Sequence, residues 1–219
     1  MSFRILSTKL LTATQQQLLL NANIAFVHAN FIETKPLEFT SDAIIENAIF
    51  TSKNALKAIQ NKPVQIKNVF CVGIKTKAFA EANNLNVIEQ ANNAEELADI
   101  IVKNYTESAF TFFCGTKRHP SLPNKLKENG ILLKEIIVYT TKLAPKKFSG
   151  DYDGILFFSP SAIESFVQLN TLDNSTAFCI GQTTAKEAIK HTEKIITATK
   201  PSVENVLVQV IKYAKEQIN

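Results

Sequence analysis

Hydroxyl side chains recur in short segments that each follow an apolar run and precede a helical pattern. These segments are Thr51-Ser52-Lys53-Asn54, Gly73-Ile74-Lys75-Thr76, Gly115-Thr116-Lys117-Arg118, Ser159-Pro160-Ser161 and Gly181-Gln182-Thr183-Thr184. Open parallel sheets bind ligands beyond the carboxyl ends of their strands, and the first N–H groups of a helix are unpaired and attract anions. The segments therefore predict a site for a ligand with many carboxylates, although the net charge of the chain is only +4.

Helix capping is the alternative explanation for these segments. Ser and Thr immediately before a helix accept hydrogen bonds from its first N–H groups, and Pro160 suits a first helical turn. Capping alone explains any single segment, whereas the repetition of the cluster favours a binding function. Gly73, Gly115 and Gly181 stand where strands should end, and a residue without a side chain leaves room there for a sharp turn or a ligand.

Tyr139 is the main candidate for proton transfer. It lies in the extended run Ile136-Ile137-Val138-Tyr139-Thr140-Thr141, and a phenol at a junction between domains could donate a proton inside a closed cleft. Its counterpart in the internal repeat described below is Ile32, so the hydroxyl is specific to this segment. A half-buried strand tyrosine without a catalytic role is the alternative.

The sequence offers no support for several other kinds of site. His28, His119 and His191 are scattered, without thiols or carboxylates at metal-ligand spacing. A dinucleotide fingerprint, a phosphate-binding P-loop and a GxSxG nucleophile turn are all missing from the sequence. The cysteines have apolar neighbours and no pairing pattern, which indicates reduced thiols in a protein core. We therefore expect neither a metal nor a cofactor.

Short apolar runs alternate with helical patterns along the chain. Helical spacing of apolar residues is clear in Ala94–Asn104 and Ser202–Gln217. The predicted strands are Arg4–Ser7, Ile24–Ile32, Ala48–Thr51, Asn68–Val72, Asn86–Glu89, Phe110–Cys114, Leu132–Thr140, Gly154–Phe158, Thr176–Ile180 and Lys194–Thr197. Continuous runs rich in Val, Ile and Phe are typical of strands buried on both faces. The alternation predicts an α/β protein with parallel sheets covered by helices on both sides.

The sequence also repeats at a nearly constant offset. Phe50-Thr51-Ser52 resembles Phe157-Phe158-Ser159 at an offset of 107, and Phe70-Cys71-Val72-Gly73 resembles Phe178-Cys179-Ile180-Gly181 at an offset of 108. We infer the duplication of a unit of about 108 residues. The duplication predicts two doubly wound parallel-sheet domains.

Two long extended segments, 26–36 and 135–145, correspond under this repeat. As linker strands, they would carry the chain from one domain to the other and back. Domain 1 would then comprise residues 1–34 and 143–219, and domain 2 would comprise residues 37–134. Two crossings would permit a hinge that closes on a ligand.

Composition narrows the class of partner. The chain of 219 residues has 45% hydrophobic and 20% charged residues, as ordinary globular proteins do. Its N-terminus does not have the pattern of a signal peptide, and no apolar run is long enough to span a membrane, so we expect a cytoplasmic protein. The Lys and Arg residues form no long basic block, which argues against binding to nucleic acid or to a membrane surface.

A series of further segments occurs in a defined order along the chain. They are Phe50-Thr51-Ser52-Lys53-Asn54-Ala55, the Val72–Thr76 turn, Cys114-Gly115 with Arg118, Leu122-Pro123 followed by Gly130, Val138-Tyr139-Thr140-Thr141, Phe157–Ala162 and Ile180–Ala185. This ordered set resembles the uroporphyrinogen-III synthase family over essentially the whole chain. Two departures are Thr8-Lys9-Leu10, where many members have Thr-Arg-Pro, and Lys77, where a small residue often follows the turn threonine.

The resemblance implies two α/β domains joined by a two-stranded linker, with the active site in the cleft between them. It implies a monomeric lyase without a cofactor, whose substrate is hydroxymethylbilane, a linear tetrapyrrole with many carboxylates. In this family, the terminal hydroxyl leaves to give an azafulvene, ring D forms a spiro intermediate, and the macrocycle closes with ring D inverted. The product would be uroporphyrinogen III, an intermediate of haem and other tetrapyrrole biosynthesis.

The resemblance also implies roles for particular residues. Tyr139 matches the linker tyrosine of the family, the candidate to assist departure of the hydroxyl. The residues expected to bind the acetate and propionate groups, partly through backbone N–H groups, are Ser52, Lys53, Asn54, Thr76, Arg118, Ser159, Ser161, Thr183 and Thr184. A non-catalytic module of the same fold that binds a tetrapyrrole or another polyanion is the alternative. A two-domain small-molecule receptor is a third interpretation, which the lack of a signal-peptide pattern disfavours.

Overall fold

The computed structural model describes residues 3–218, in which strands and helices alternate. The strands are β1 (Arg4–Ser7), β2 (Ala25–His28), β3 (Ile32–Pro36), β4 (Ile44–Phe50), β5 (Gln65–Val72), β6 (Val87–Ala91), β7 (Ala109–Gly115), β8 (Leu132–Leu143), β9 (Gly154–Phe157), β10 (Thr176–Cys179) and β11 (Ile195–Thr197). The helices are α1 (Ala13–Asn21), α2 (Lys53–Ile59), α3 (Ile74–Glu81), α4 (Ala94–Asn104), α5 (Ser121–Glu128), α6 (Pro160–Phe166), α7 (Gln182–Ala188) and α8 (Val203–Ile218). Within residues 3–218, none of these helices has both the length and the apolar character of a membrane span.

The strands form two sheets. One sheet has the order β11-β10-β9-β1-β2, and the other has the order β3-β8-β7-β4-β5-β6. All neighbouring strands of the first sheet are parallel, as are β8, β7, β4, β5 and β6 of the second. The prediction of an α/β protein built on parallel sheets is therefore confirmed.

The duplication is visible element by element. The series β4-α2-β5-α3-β6 corresponds to β9-α6-β10-α7-β11, and β1-α1-β2 corresponds to β7-α5-β8. Helices α2 (Lys53–Ile59) and α6 (Pro160–Phe166) match residue for residue at the offset of 107. The corresponding strands also occupy corresponding places in the two sheets. Each sheet therefore combines strands from both halves of the sequence.

The chain divides into two compact units. Unit 1 contains the residues up to Glu33 and those from Lys142 onward, and unit 2 is Thr34–Thr141. The chain passes from unit 1 to unit 2 within β3 and returns within β8. These points fall inside the segments 26–36 and 135–145 that the sequence suggests as linkers.

Each sheet is covered on both faces by an apolar core. In unit 1, one core includes Phe157 and the other includes Phe178. In unit 2, the consecutive residues Phe112 and Phe113 belong to different cores, because neighbouring side chains of a strand point to opposite faces. Burial of each such ring stabilises the fold by about 2 kcal/mol. We call the core of Phe113 the α2 core and that of Phe112 the α4 core, after a helix that packs in each.

The predicted strand Ile24–Ile32 is wrong in its extent, because two separate strands occupy this region. β2 ends at His28 and β3 begins at Ile32. Between them, the side chain of Asn30 accepts a backbone N–H from the loop after β1, at 3.0 Å, and Phe31 is fully buried in the core of unit 1. An apolar run predicts burial but not the bend that allows Phe31 to reach this core.

The cysteines are free thiols within the cores. Cys71, Cys114 and Cys179 are all buried. Burial raises the pKa of Cys71 and of Cys114 to about 11, and it raises that of Cys179 to about 12. The prediction of core thiols is confirmed, and at neutral pH these thiols remain protonated and unreactive.

Candidate functional site

Parallel pairing gathers the hydroxyl-rich segments within each unit. In unit 2, β7, β4 and β5 are neighbouring parallel strands, so the segments that follow them share one edge of the sheet. In unit 1, β9 and β10 are neighbouring parallel strands, so the segments with Ser159 and Gly181 also share an edge. Each unit therefore presents its candidate residues at the carboxyl ends of its strands.

Ser52 and Ser159 cap the helices that follow them. The Oγ atom of Ser52 accepts a hydrogen bond from the Asn54 N–H at 3.2 Å, and the Oγ atom of Ser159 accepts one from the Ala162 N–H at 3.2 Å. Both serines have the extended backbone that is usual at an N-cap, and Ser161 is buried in the first turn of α6. The capping that the sequence suggests as an alternative does occur. It leaves the hydroxyl hydrogens available to donate.

Helices α3 and α7 are preceded by glycines rather than by capping serines. Gly73 and Gly181 occupy the N-cap positions, and no side chain among the described residues caps either helix. Thr76 and Thr184 stand at the third helical position of α3 and α7, where they are 6% and 3% exposed; Thr183 is exposed. The first N–H groups of an α-helix lack acceptors within the helix, and such groups suit the oxygens of a carboxylate.

Lys53 and Asn54 form the first turn of α2 after Ser52. The Nζ atom of Lys53 lies 5.8 Å from the centre of the Phe79 ring on α3, and its side chain is exposed. Asn54 contributes its backbone N–H to the serine cap. The turn therefore combines a hydroxyl, an amide and an exposed cation that lies over the Phe79 ring of α3.

A β-bulge in β8 determines the direction of Tyr139. β7 and β8 pair regularly until the register shifts between Cys114 and Gly115, after which Gly115 pairs with Tyr139. Ile136 and Val138 both face the α2 core, and strict alternation would turn Tyr139 to the opposite face. The bulge instead places the half-buried Tyr139 against the same core.

The hydroxyl of Ser52 lies close enough to the phenol of Tyr139 to influence its pKa. Burial raises the pKa of Tyr139 above its ordinary value, and the Ser52 hydroxyl lowers it in part, as a donor to the phenol oxygen does. Because the Ser52 oxygen accepts the Asn54 N–H, its own hydrogen is free to be donated to the phenol oxygen. At neutral pH, Tyr139 therefore keeps its proton and can donate it to another oxygen.

Arg118 is placed away from Tyr139. Its guanidinium forms an ion pair with Glu135 of β8, and this hydrogen-bonded pair raises the pKa of Arg118 above its usual value. Glu135 precedes Ile136, which faces the α2 core, so Glu135 and Arg118 lie on the opposite face, where Cys114 packs. Sequence reasoning missed Glu135; its carboxylate within the predicted strand Leu132–Thr140 was the available signal.

Thr116 and Thr140 form a pair of hydroxyls that is not among the residues expected to bind carboxylates. Their Oγ1 atoms are 3.2 Å apart, and the Thr116 N–H donates to the carbonyl of Tyr139 at 3.1 Å. The loop after β7 is thus tied to β8 at Tyr139 and at the residue after it. The counterpart of Thr116 in the repeat, Thr8, bonds to a different neighbour, since its hydroxyl donates to the carbonyl of Leu156 in β9 at 2.7 Å.

The fold and these residues define a class of protein. It is a duplicated α/β protein whose parallel sheets carry hydroxyls and helix starts at their carboxyl ends, with a protonated tyrosine at that edge in unit 2. Within the described part of the chain, no group of three or more His, Cys, Asp or Glu side chains is placed to hold a metal ion. Such an arrangement suits acid-assisted chemistry on a ligand with many negative charges.

The sequence model of the family described as uroporphyrinogen-III synthase HemD matches residues 14–207. The chain therefore belongs to the uroporphyrinogen-III synthase family, cyclising lyases of tetrapyrrole biosynthesis. The crystal structure of uroporphyrinogen-III synthetase from Helicobacter pylori is similar, with a TM-score of 0.73 and 21% identity over 96% of this chain and 99% of that one. A mutant uroporphyrinogen III synthase from Thermus thermophilus has a TM-score of 0.65 and 11% identity over 99% of this chain and 100% of that one. At these identities, the solved structures show the shared fold.

Proposed function

We propose that this protein is a uroporphyrinogen-III synthase, which closes hydroxymethylbilane into a ring with inversion of ring D and loss of water. Membership of the family supports the reaction. The observation that carries the proposal is the half-buried phenol of Tyr139, which the bulge in β8 places at the carboxyl edge of unit 2 and whose pKa burial raises. A cyclisation that starts with the loss of a hydroxyl needs a proton donor at the leaving oxygen, and a phenol that keeps its proton at neutral pH can supply it.

In the proposed first step, Tyr139 donates its proton to the terminal hydroxyl of the substrate while the carbon–oxygen bond breaks. Water leaves, and the phenolate that remains accepts a hydrogen bond from Ser52. The azafulvene is attacked by the substituted α-carbon of ring D, and fragmentation and reclosure invert this ring. A proton released by the pyrrole system returns to the phenolate, so the net change is cyclisation with loss of water.

We propose that hydroxyls and backbone N–H groups, more than a block of cations, bind the carboxylates of the substrate. In unit 2, the start of α3 at Thr76 and the Ser52-Lys53-Asn54 turn contribute, and Lys53 supplies a positive charge. The proposed ligands in unit 1 are Ser159, Ser161, Thr183 and Thr184. Arg118 is paired with Glu135 through its Nε atom, so it would bind a carboxylate through its other guanidinium N–H groups or in exchange for Glu135.

The reaction requires positioning more than strong catalytic groups. Hydroxymethylbilane also closes without an enzyme, to the ring in which ring D is not inverted. Shifting this competition to about 100:1 requires about 2.7 kcal/mol of differential stabilisation. A few hydrogen bonds that fix the folded substrate can supply this free energy.

The test is to add the protein to freshly prepared hydroxymethylbilane and to separate the oxidised porphyrin isomers. We expect an excess of the type III isomer, without added cofactor and in the presence of a chelator, from a protein that elutes as a monomer. Formation of the type I isomer alone, with tight binding of the substrate, would instead identify a non-catalytic tetrapyrrole-binding module.

Replacing Tyr139→Phe tests the proposed proton donor. Because the substituted ring still fills its place but has no proton to donate, we expect kcat to fall about 100-fold or more with little change in substrate binding. The type I isomer should then predominate. Tyr105→Phe is the matched control, since Tyr105 also lies in unit 2 and donates its hydroxyl to Glu89 at 3.0 Å. Unchanged turnover in Tyr139→Phe would remove Tyr139 from the mechanism.

A further inference from the structure

The backbone of Gly115 lies directly against the ring of Tyr139. A Cβ atom added to Gly115 would lie 2.6 Å from Cε2 and 2.9 Å from the hydroxyl oxygen of Tyr139, closer than side chains pack. The φ angle of Gly115 is outside the left-handed region, so its backbone conformation does not require a glycine. The space that the missing side chain leaves is filled by Tyr139 rather than left open to a ligand.

The repeat shows that this fold does not itself require a glycine here. At the offset of 108, the counterpart of Gly115 at the end of β1 is Ser7, which is fully buried. The counterpart of Tyr139 at the offset of 107 is Ile32. A side chain is therefore accommodated at this place when no tyrosine ring lies against it. The glycine occurs in the unit that has the tyrosine.

Three features fix Tyr139 around this point. The bulge at Val138 in β8 turns the ring toward the α2 core, and the Thr116 N–H holds the Tyr139 carbonyl at 3.1 Å. The missing Cβ of Gly115 allows the ring to lie close to the backbone, in a position where the Ser52 hydroxyl lowers the pKa of the phenol. A ring displaced from Gly115 would lose this position.

We propose that Gly115 is a positioning residue for the reaction, because it provides the space in which the Tyr139 phenol is held beside Ser52. The effect of Gly115 on catalysis rests on the proposed function, whereas its effect on the position of the Tyr139 ring does not. Gly115→Ala should displace the end of the ring without distorting the backbone. We expect kcat to fall on the order of 100-fold, as for a group misplaced by about 1 Å, while KM changes about twofold or less because the proposed carboxylate ligands stay in place.

A second measurement follows Tyr139 without any substrate. The phenol is titrated by NMR with an isotope label on the ring carbon that carries the hydroxyl, and Tyr139→Phe assigns the signal. Burial is the larger cause of the raised pKa of Tyr139, so a ring pushed outward by Gly115→Ala should titrate closer to its ordinary value. Ile45→Val is the control for a mild loss of packing. Ile45 also lies in the α2 core, but it stands near the start of β4, at the edge of the sheet opposite to the carboxyl ends of the strands.

Combining the substitutions tests whether Gly115 acts through Tyr139. Adding Gly115→Ala to Tyr139→Phe should slow turnover no further than Tyr139→Phe alone. If Gly115→Ala by itself folds poorly, adding Tyr139→Ala should raise its thermal midpoint, because the smaller side chain removes the conflict.

The outcomes separate this inference from the proposed function. A Gly115→Ala protein with wild-type kcat and an unchanged phenol titration overturns the inference. A changed titration with wild-type kcat supports the packing of the ring on Gly115 and rejects a catalytic role for Tyr139. Additive losses of activity in the double variant would show that Gly115 acts independently of the phenol, and would also overturn the inference.

Discussion

Ser52 combines two roles that usually belong to different residues. Its oxygen accepts the Asn54 N–H as the cap of α2, and its hydroxyl lowers the pKa of Tyr139. A hydroxyl can do both because it has lone pairs to accept and one hydrogen to donate. The start of α2 is thereby linked to the proposed proton donor, and the negative charge left on the phenolate after donation would be stabilised by Ser52.

Ser52→Ala should affect stability and catalysis separately. Loss of the cap should lower the free energy of unfolding by about 1 kcal/mol. Loss of the hydrogen bond that lowers the pKa of Tyr139 should raise this pKa further and make the phenol a weaker acid, so kcat should fall. Titration of the phenol and steady-state kinetics measure these two effects.

Asn93→Ala is the matched control for Ser52→Ala. The side chain of Asn93 caps α4, also in unit 2, by accepting the Glu96 N–H at 2.9 Å. Asn93→Ala should lower the free energy of unfolding by an amount similar to that for Ser52→Ala, and it should leave both kcat and the titration of the Tyr139 phenol unchanged. An equal loss of kcat in both variants would show that Ser52 matters only as a cap.

Helix starts at equivalent places in the repeat are built with different backbones. Gly73 before α3 has a φ angle of 84°, whereas Gly181 before α7 has a φ angle of −177°. Only the first lies in the region that a side chain disfavours. The shared glycine therefore reflects a conformational need in unit 2 but not in unit 1, where an extended backbone would accept another residue.

Gly73→Ala and Gly181→Ala should consequently differ in stability. We expect Gly73→Ala to lower the free energy of unfolding by about 1–2 kcal/mol through backbone strain. Gly181→Ala should have little effect, because a Cβ there would meet no atom within 4 Å. Urea unfolding of the two variants measures the difference, and equal losses would contradict the interpretation.

Among the elements, the sequence predicted what depends on local pattern. Helix α4 has the predicted bounds, Ala94–Asn104, because its apolar spacing and its Asn93 cap both mark the same segment. Features that depend on partners distant in sequence were missed. The bulge that turns Tyr139 requires pairing with β7, and the Glu135 partner of Arg118 comes from another element. An apolar run does not contain this information.

On the scale of the whole molecule, the duplication distributes each half of the sequence over both units. β1 and β2 from the first half complete the sheet of β9, β10 and β11, while β7 and β8 from the second half join β4, β5 and β6. Neither half of the sequence therefore contains a complete sheet. The repeated offset in the sequence predicts two similar sheets, and the long extended segments predict where the chain crosses between them.

Both units also bury thiols, which gives the molecule a dependence of stability on alkaline pH. An exposed thiol in the unfolded chain has a pKa near 9.0, whereas burial raises the pKa of Cys71 and Cys114 to about 11 and that of Cys179 to about 12. Below about pH 9, both states keep these protons and the full contribution is present. Above about pH 9, the unfolded state releases thiol protons that the folded state retains. The free energy of unfolding therefore falls as the pH rises from about 9 toward the pKa values of the folded state.

Each buried thiol should lower the free energy of unfolding by up to about 1.4 kcal/mol per pH unit above pH 9. Urea unfolding at a series of alkaline pH values measures this slope for the wild type and for Cys179→Ala. The variant is expected to be less stable at neutral pH, because it loses buried volume, but its stability should decline less steeply because the thiol is gone. Lysines and tyrosines that titrate in the same range affect both proteins alike, so the difference between the two slopes isolates Cys179. Parallel slopes would mean that this thiol ionises equally in the folded and unfolded states, in contradiction to its complete burial in the core.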